Sequence, residues 1–586
     1  MGMTGGMTGT AADGTTDGTT GGTTGAMTAG SALFARMKML GVDWVFANSG
    51  TDFPPIIEGL IAARAAGIDL PQALTIPHEH VAVGMAHGVW QVTGRAQAVM
   101  LHTNVGLSNG ATGVINAACD QVPMLVMSGR TPVMEGGRFG ARTVPIGWGQ
   151  EMYDQTALVR EACKWDYELR FPEQVPALLD RGMAVAESLP KGPVYLSLPR
   201  EVLCAPCPEA AVAAPVRMAP AVGVASEAAV AEAAALLAGA KRPLVIAQRG
   251  VGAAFEAFRA FVERWGLPVS QYWANRVSLA ASSPCAVDWM PGDWLAEADV
   301  VLVIDALAPW WPDRMPLGEE ARVIQLGPDP LFARTSPMRS FPADVVLAGE
   351  TAASLTALMA AVDGLGGEEA VIAARAARLA ERAAAVRAAS LARAEAGCRA
   401  PMTKDWVGLC VQRAAGGRAF SVFHELGCPL VSLGIEDPLG YFQEPHSGGL
   451  GWGLPAAMGA KLAAPERLVF ATVGDGSYMF ANPVACHQVM EALGLGVVTL
   501  VLNNEEWGAV RASVSGVYPE GMGAKANEVP LTSLRPSPDF TRVAEASRGY
   551  AERVERGEDL PGALARAIAA ADAGRHALLD VAIARE

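Results

Sequence analysis

Short apolar runs alternate with helix-like stretches along most of the chain. Residues 44–47, 98–101 and 124–127 are such runs, and each precedes small polar residues and then a segment of helical pattern. Continuous apolar runs of this length are typical of strands that are buried on both faces. The helical segments between them provide the crossover connections that parallel strands need. The pattern therefore predicts a parallel sheet covered by helices over residues 31–203.

A second series of apolar runs follows a Pro- and Ala-rich break at residues 204–226. Its runs cover residues 243–247, 300–305 and 322–326. This series predicts a middle α/β domain over residues 227–363. Residues 367–397 are Ala-rich with interspersed Arg and Glu, which indicates a solvated helix that connects this domain to the next.

A third series of apolar runs occupies the rest of the chain, residues 398–586. Its runs cover residues 429–433, 467–473 and 497–502. We therefore expect an α/β fold with three doubly wound parallel-sheet domains. Residues 1–30 consist almost entirely of Gly, Thr, Met and Ala, which bury too little apolar surface to offset the entropy of ordering, so we expect a disordered tail there.

Composition excludes several classes of function. The 586 residues include 45 basic and 60 acidic side chains, and the net charge of −15 is unsuited to a nucleic acid partner. The nine cysteines are scattered and odd in number, which argues against a disulfide framework and for a reducing compartment. No apolar run reaches the roughly 18 residues that span a membrane, and the amino terminus does not resemble a signal peptide. We expect a cytoplasmic enzyme without a membrane partner.

Two polar motifs follow successive apolar runs in the third domain. Gly474, Asp475, Gly476 and Ser477 end one run, and 26 residues separate Gly476 from the Asn-Asn-Glu-Glu motif at 503–506. This separation accommodates a loop, a helix and a return strand, so both motifs are expected at the same edge of the sheet. The glycines permit close approach of an anion, and the following helix offers free N–H groups to a phosphate. A carboxylate and an amide oxygen are typical protein ligands of Mg²⁺.

These motifs and their spacing resemble the diphosphate and Mg²⁺ motif of thiamine-diphosphate (ThDP) enzymes. Residues 447–463, which run into Gly474–Ser477, are similar to benzoylformate decarboxylase, acetolactate synthase and their relatives, and the resemblance covers about residues 31–586. By this resemblance, the first domain would be the pyrimidine-binding domain, the second the middle domain and the third the diphosphate-binding domain. The resemblance also implies cofactor and metal ligands. These are Asp475, the Asn504 side chain and the Glu506 backbone carbonyl for Mg²⁺, and Ser477 with the amides near Gly474 and Gly476 for the diphosphate.

The resemblance also implies roles for the loop before residue 453. Leu450 would be the bulky residue that bends the cofactor into its V shape, and the Gly448 carbonyl would accept a hydrogen bond from the aminopyrimidine. In the first domain, Glu79 lies where the family places a glutamate that hydrogen-bonds the aminopyrimidine and so promotes loss of the thiazolium C2 proton. The alternative is that Glu79 only caps a helix that begins near Val81.

Four of the eight histidines, His78, His80, His87 and His102, lie within 25 residues of each other. A zinc motif that starts at His78 would need a histidine at position 82, where Ala82 stands, so the spacing argues against a metal site. The segment that starts at His102 resembles the one that places a histidine near the reacting carbon in benzoylformate decarboxylase, which makes His102 our candidate proton shuttle. His78 and His80 flank Glu79 and are candidates for catalysis or for a structural role.

The loop at the end of the first apolar run resembles the substrate-side loop of the family. Its residues Asn48 and Ser49 offer hydrogen bonds to a carboxylate or carbonyl of the substrate. The implied reaction is ThDP-dependent cleavage or formation of a C–C bond in a 2-oxo acid or related ketone. His102 favours proton delivery, and hence decarboxylase or lyase chemistry.

Three alternatives stay open at this point. An acetolactate-synthase-like carboligase is one, although that class has a glutamine where this chain has His80. A flavin-containing enzyme similar to pyruvate oxidase is another, although nothing in the middle domain indicates FAD. The third alternative is a non-catalytic binding protein. Such a protein would be expected to have lost Glu79, Asp475 or Asn504, and this chain has all three.

The resemblance implies a homodimer or homotetramer. In this family the cofactor lies between the first domain of one subunit and the third domain of another. The substrate would be a small molecule, and aromatic, aliphatic and CoA-linked oxo acids and cyclic diketones all stay open.

Overall fold

The computed structural model describes residues 27–585, which form three units, each built on a parallel sheet. The first sheet has six strands in the order β2-β1-β3-β4-β6-β5. Its strands are β1 (Trp44–Ala47), β2 (Gln72–Thr75), β3 (Gln97–Leu101), β4 (Met124–Arg130), β5 (Asp166–Glu168) and β6 (Pro193–Pro199). Its helices are α1 (Ala29–Met39), α2 (Pro54–Ala65), α3 (Glu79–Thr93), α4 (Thr103–Cys119), α5 (Ile146–Gly149), α6 (Val175–Glu187), α7 (Arg200–Leu203) and α8 (Glu209–Ala213).

The middle unit has five strands in the order β11-β10-β9-β7-β8. Its strands are β7 (Pro243–Ala247), β8 (Val269–Ser270), β9 (Val300–Ile304), β10 (Arg322–Gly327) and β11 (Val345–Ala348). Its helices are α9 (Glu227–Gly239), α10 (Phe255–Trp265), α11 (Gly292–Glu297) and α12 (Thr351–Leu365). Helix α13 (Glu369–Ala396) then leads to the third unit, as the Ala-rich pattern predicted, and most of its surface is solvated.

The third unit repeats the topology of the first, since its six strands follow the order β13-β12-β14-β15-β17-β16. Its strands are β12 (Phe420–Glu425), β13 (Tyr441–Gln443), β14 (Leu468–Gly474), β15 (Val497–Asn503), β16 (Tyr550–Val554) and β17 (Ala577–Ala582). Its helices are α14 (Lys404–Ala415), α15 (Leu430–Leu433), α16 (Gly453–Ala463), α17 (Asp475–Phe480), α18 (Pro483–Leu493), α19 (Gly508–Val517), α20 (Met522–Lys525), α21 (Phe540–Glu545) and α22 (Leu560–Asp572). The prediction of three doubly wound α/β units is confirmed.

Two local predictions were wrong. The apolar run at 429–433 is not a strand but the short helix α15, because Pro429 precedes its first turn and Gly434 ends it in the left-handed region at a φ of 56°. Residues 28–30 are not part of a tail, because α1 begins at Ala29 and the Thr28 side chain accepts a hydrogen bond from the Ser31 N–H. The rest of the predicted tail, residues 1–26, lies outside the described residues.

Helices α3 and α16 join the first and third units through glycines at their contact. A Cβ on Gly88 would lie 1.9 Å from the Ala456 carbonyl oxygen, and one on Gly459 would lie 2.0 Å from the Met85 carbonyl oxygen. Because any side chain at these positions would overlap backbone, only glycine allows this approach. The contact holds the start of α3 next to the loop that precedes α16. Over residues 27–585, no helix combines the length and hydrophobicity that crossing a membrane requires.

Candidate active site

The strand orders define a ligand-binding edge in the first and third units. In the first sheet the chain leaves β1 for β2 and returns to β3 on the other side of β1, so the loops after β1 and β3 diverge. In the third sheet β12, β13 and β14 repeat this arrangement. Open α/β sheets bind ligands in the crevice at such reversals of strand order. The predicted residues Asn48, Ser49, His102 and Asp475 all lie on these loops.

Asp475 and Asn504 lie at the ends of the adjacent strands β14 and β15, and the two motifs are in contact. One Asp475 carboxylate oxygen accepts the Gly476 N–H at 2.9 Å, and the other accepts the Glu505 N–H at 2.9 Å. The Asn504 side-chain oxygen accepts the Glu506 N–H at 3.1 Å. Burial raises the pKa of Asp475 to about 6.

The residues around Asp475 fit a diphosphate and its metal ion. Ser477 is buried, and its hydroxyl has no hydrogen-bond partner among the described residues, as expected of a group that awaits a ligand. The Glu506 carbonyl accepts the Gly508 N–H at 2.9 Å, and one side-chain oxygen of Glu506 pairs with Arg511 at 3.2 Å. The other side-chain oxygen, Oε1, is buried without a partner among the described residues. Residues 27–585 hold no cluster of three His, Cys, Asp or Glu, and the predicted ligand set contains one acidic side chain.

A buried glutamate that the sequence analysis missed holds the loop before α16. Glu425, at the end of β12, accepts the N–H groups of Gly451 and Gly453 at 2.6 Å each. Burial raises the pKa of Glu425 to about 7. These bonds fix the path of the loop. The loop includes Gly448, which is exposed and has a φ of 70°, and Leu450, which is half-buried.

Glu79 begins α3 at the edge of the first sheet. It is buried, and its carboxylate accepts a hydrogen bond of 3.2 Å from the Asn109 side chain. His78 is the N-cap of this helix, and its ring accepts the His80 N–H at 3.2 Å, so the capping role falls to His78 rather than to Glu79. The helix begins at Glu79, two residues earlier than the alternative interpretation placed it.

His80 lies between α3 and the loop before α16. Its ring hydrogen-bonds the backbone of Gly451, and burial lowers its pKa to about 4, so it is neutral near pH 7. Its Nε2 atom is buried without a partner among the described residues. His80 therefore joins the first unit to the loop that carries Gly448, whereas Glu79 points to the face of α3 that packs on α4.

His102 is held by two groups, neither of which sequence reasoning assigned to the site. Its Nδ1 atom hydrogen-bonds the Asp52 carboxylate, and its Nε2 atom lies 3.1 Å from the Gln150 side chain. The hydrogen bond to Asp52 raises the pKa of His102 above its ordinary value. Asn48 donates to the Ile76 carbonyl at 2.9 Å and so holds its loop, while Ser49 is exposed at the same edge.

Comparison with known proteins identifies the family. Three profiles match the chain. They describe the N-terminal thiamine pyrophosphate (ThDP) binding domain of thiamine pyrophosphate enzymes at residues 27–158, their central domain at 230–358 and their C-terminal binding domain at 426–581. A probable 2-ketoarginine decarboxylase of Pseudomonas aeruginosa is 31% identical over 91% of this chain and 90% of its own length. The chain belongs to the thiamine-diphosphate-dependent enzyme family.

Other members of this family are similar over nearly the whole chain. Benzoylformate decarboxylase of Pseudomonas aeruginosa is 27% identical over 93% of this chain and 97% of its own length. The solved structure of a 4-hydroxybenzoylformate decarboxylase from Rhodococcus jostii has the same fold, with a TM-score of 0.76 and 22% identity over 95% of this chain and 99% of its own. Two predictions are confirmed. One is the family, and the other is that the protein is an enzyme that cleaves or forms C–C bonds.

Proposed function

We propose that this protein is a decarboxylase of a small 2-oxo acid that uses ThDP and Mg²⁺. Two relatives have names that describe decarboxylases of 2-oxo acids, although an acetolactate synthase of Mycobacterium tuberculosis is also similar, at 27% identity. The observation that favours decarboxylation is the His102–Asp52 pair beside Glu79. A histidine whose pKa is raised by a carboxylate holds its proton to higher pH, so it is suited to deliver a proton to the carbon from which carbon dioxide has left.

The described residues fit the cofactor, and each has a distinct task. ThDP, when bound, supplies a carbon nucleophile and accepts the electron pair of the C–C bond that breaks. Asp475, Asn504 and the Glu506 carbonyl would hold Mg²⁺, and Ser477 would bind the diphosphate. Glu79 would hold a proton against the aminopyrimidine, and Asn109 orients its carboxylate for that task.

Product analysis tests the proposed reaction. The protein with ThDP and Mg²⁺ is incubated with a panel of 2-oxo acids and ketones, and carbon dioxide, aldehyde and acyloin are measured separately. We expect carbon dioxide and aldehyde in equal amounts from at least one 2-oxo acid. Acyloin as the main product would favour the carboligase instead, and flavin bound to the purified protein would favour the oxidase.

The pH dependence of the reaction tests the role of His102. Because the Asp52 carboxylate raises the pKa of His102, the protonated form persists to higher pH than in a free histidine. We expect kcat/KM to fall as the pH rises through this raised value, and Asp52→Asn to move that fall to lower pH. Values of kcat/KM measured from acidic to alkaline pH in the two proteins check this, and an alkaline limb that Asp52→Asn does not move would remove the pair from proton delivery.

We also propose that the active site forms between two copies of the chain, in a homodimer or homotetramer. Glu79 lies on the face of α3 that packs on α4, and a Cβ on Gly106 of α4 would lie 3.2 Å from its carboxylate. The face of α3 that carries His80 and Gly84 packs on α16 of the same chain. Glu79 is thus turned away from its own third unit, which supports a site completed by a second copy.

Mixing two inactive variants tests this arrangement. Glu79→Gln chains and Asp475→Ala chains are co-expressed with different affinity tags, and the mixed oligomer is isolated through both tags. A mixed dimer carries one site with both substitutions and one with neither, so we expect about half of the wild-type turnover per dimer. If each site were built from one chain, the mixed oligomer would be as inactive as its parents.

A further inference from the structure

The loop before α16 is held by side chains from all three units. The Nε2 atom of His446 hydrogen-bonds the Trp273 carbonyl of the middle unit at 2.9 Å. The carboxylate of Glu425, in the third unit, accepts the N–H groups of Gly451 and Gly453. Between these two attachments the loop contacts the first unit through a buried asparagine of α4.

This asparagine, Asn116, hydrogen-bonds the residues on both sides of Gly448. Its Oδ1 atom accepts the Ser447 hydroxyl at 2.7 Å, and its Nδ2 atom donates to the Gly449 carbonyl at 2.8 Å. The Gly448 N–H is used within the loop, where it donates to the Pro445 carbonyl at 3.0 Å. Both neighbours of Gly448 are therefore fixed, and the direction of its carbonyl is fixed with them.

The loop approaches α4 so closely that the contact requires a glycine. A Cβ on Gly449 would lie 2.3 Å from the Oδ1 atom of Asn116 and 2.8 Å from the Cγ2 atom of Thr112. Any side chain at this position would overlap α4, so Asn116 and Gly449 depend on each other.

The residue type at position 116 matches what the loop offers. Asn116 is only 1% exposed, so its amide would be left with an unsatisfied donor and acceptor without the loop. An amide supplies a donor and an acceptor on one short side chain. Leucine has neither, and an ionised aspartate has acceptors only. The two hydrogen bonds therefore need asparagine, whereas the space alone would admit leucine.

We propose that Asn116 is a positioning residue for the aminopyrimidine end of the cofactor. It acts through the loop, because it fixes the Gly448 carbonyl that is to accept the 4′-amino group. This inference rests on the proposed function, since it takes Gly448 to receive the aminopyrimidine. Among the described residues, the proposed Mg²⁺ ligands do not hydrogen-bond Asn116, so binding of the diphosphate end should not depend on it.

A pair of cofactors tests the inference by binding alone. ThDP and 4′-deamino-ThDP differ in the amino group that the Gly448 carbonyl would accept, and both are titrated calorimetrically into the apoprotein with Mg²⁺. In the wild-type protein we expect ThDP to bind about tenfold more tightly, as one well-placed hydrogen bond allows. Asn116→Leu should reduce this preference to about twofold or less. Equal affinities in the wild-type protein, or an unchanged preference in Asn116→Leu, would overturn the inference.

Two variants of Ser447 give a matched pair that also decides the question if Asn116→Leu does not fold. Ser447 is exposed, so neither change is expected to impair folding. Ser447→Ala removes the hydroxyl that donates to Asn116 and should lower the preference to about threefold. Ser447→Thr retains a hydroxyl and should retain the wild-type preference. Equal preferences in the two variants would overturn the inference.

Inorganic pyrophosphate separates positioning from a general loss of structure. With Mg²⁺ it reports on the diphosphate end alone, and we expect Asn116→Leu to bind it within about threefold of wild type. Weaker binding of pyrophosphate and of both cofactors by one common factor would overturn the inference. Decarboxylation by a wild-type protein whose preference does not depend on Asn116 would leave the proposed function in place and overturn this inference. A preference that depends on Asn116, in a protein whose main product is acyloin, would do the reverse.

Discussion

Replacing Asp475 by alanine is expected to abolish Mg²⁺-dependent binding of ThDP, and activity with it. Asp475 is the only acidic side chain in the proposed ligand set, and its carboxylate also accepts the N–H groups of Gly476 and Glu505. Its loss removes a metal ligand and its negative charge together, so we expect the dissociation constant of ThDP at saturating Mg²⁺ to rise by roughly 100-fold or more. Calorimetric titration of the apoprotein with ThDP measures this.

Two further variants make the result specific. Asp475→Asn keeps one side-chain oxygen but not the charge, and we expect an intermediate loss of affinity. Asp572→Ala removes an exposed carboxylate that pairs with Arg418 at the opposite edge of the same sheet, and should leave the affinity within about threefold of wild type. An Asp475→Ala protein that binds ThDP as the wild type does would exclude Asp475 from the metal site.

The contact between the two motifs of the third unit could be predicted from the sequence because it depends on consecutive strands. The motifs that contain Asp475 and Asn504 end β14 and β15, which follow each other in the chain and pair directly in the sheet. A spacing that allows one crossover was enough to place them at the same edge. The apolar runs that became β1, β3, β4, β7, β9 and β10 were recognised because strands buried on both faces are continuous in hydrophobicity.

The His102–Asp52 pair could not be predicted in this way. Its members are 50 residues apart and meet because β3 pairs with β1 after β2 has been added on the other side. Apolar runs do not show the order of strands in a sheet. Glu425 belongs to no motif, and its importance arises from burial beneath the loop that carries Gly448, which only the packed structure reveals.

The short helix α15 shows a second limit. Residues 430–433 contain three apolar side chains and Ser432, and so short a run fits a buried strand and a single helical turn equally well, so periodicity does not decide between them. Pro429 at the start of the run and Gly434 after it were the local signals for a helix. Helix α15 follows Glu425, Gly427 and Cys428, which lie where the strand order reverses between β12 and β14. Predicting a strand at residues 429–433 therefore concealed a loop next to the proposed diphosphate site.

Replacing Glu79 by glutamine is expected to leave ThDP bound but to slow turnover by roughly 100-fold or more, the range typical of a lost acid or base. Glutamine retains the size of the side chain and an acceptor for Asn109, yet it cannot share a proton with the aminopyrimidine. Exchange of the thiazolium C2 proton of bound ThDP with deuterium, followed by NMR after rapid quenching, should slow by a similar factor. Calorimetric titration checks that the cofactor affinity is retained.

A stability measurement separates this role from helix capping. The N-cap of α3 is His78, whose ring accepts the His80 N–H, so His78→Ala should lower the free energy of unfolding by about 1 kcal/mol. Glu79 is an acidic residue in the first turn of α3, where it interacts favourably with the helix dipole. Loss of this interaction would lower the free energy of unfolding by less than the loss of the His78 cap. If Glu79 served only the helix, Glu79→Gln would lower stability and leave the exchange of the C2 proton unchanged. Slow exchange in a protein of nearly wild-type stability would instead place the carboxyl in proton transfer at the cofactor.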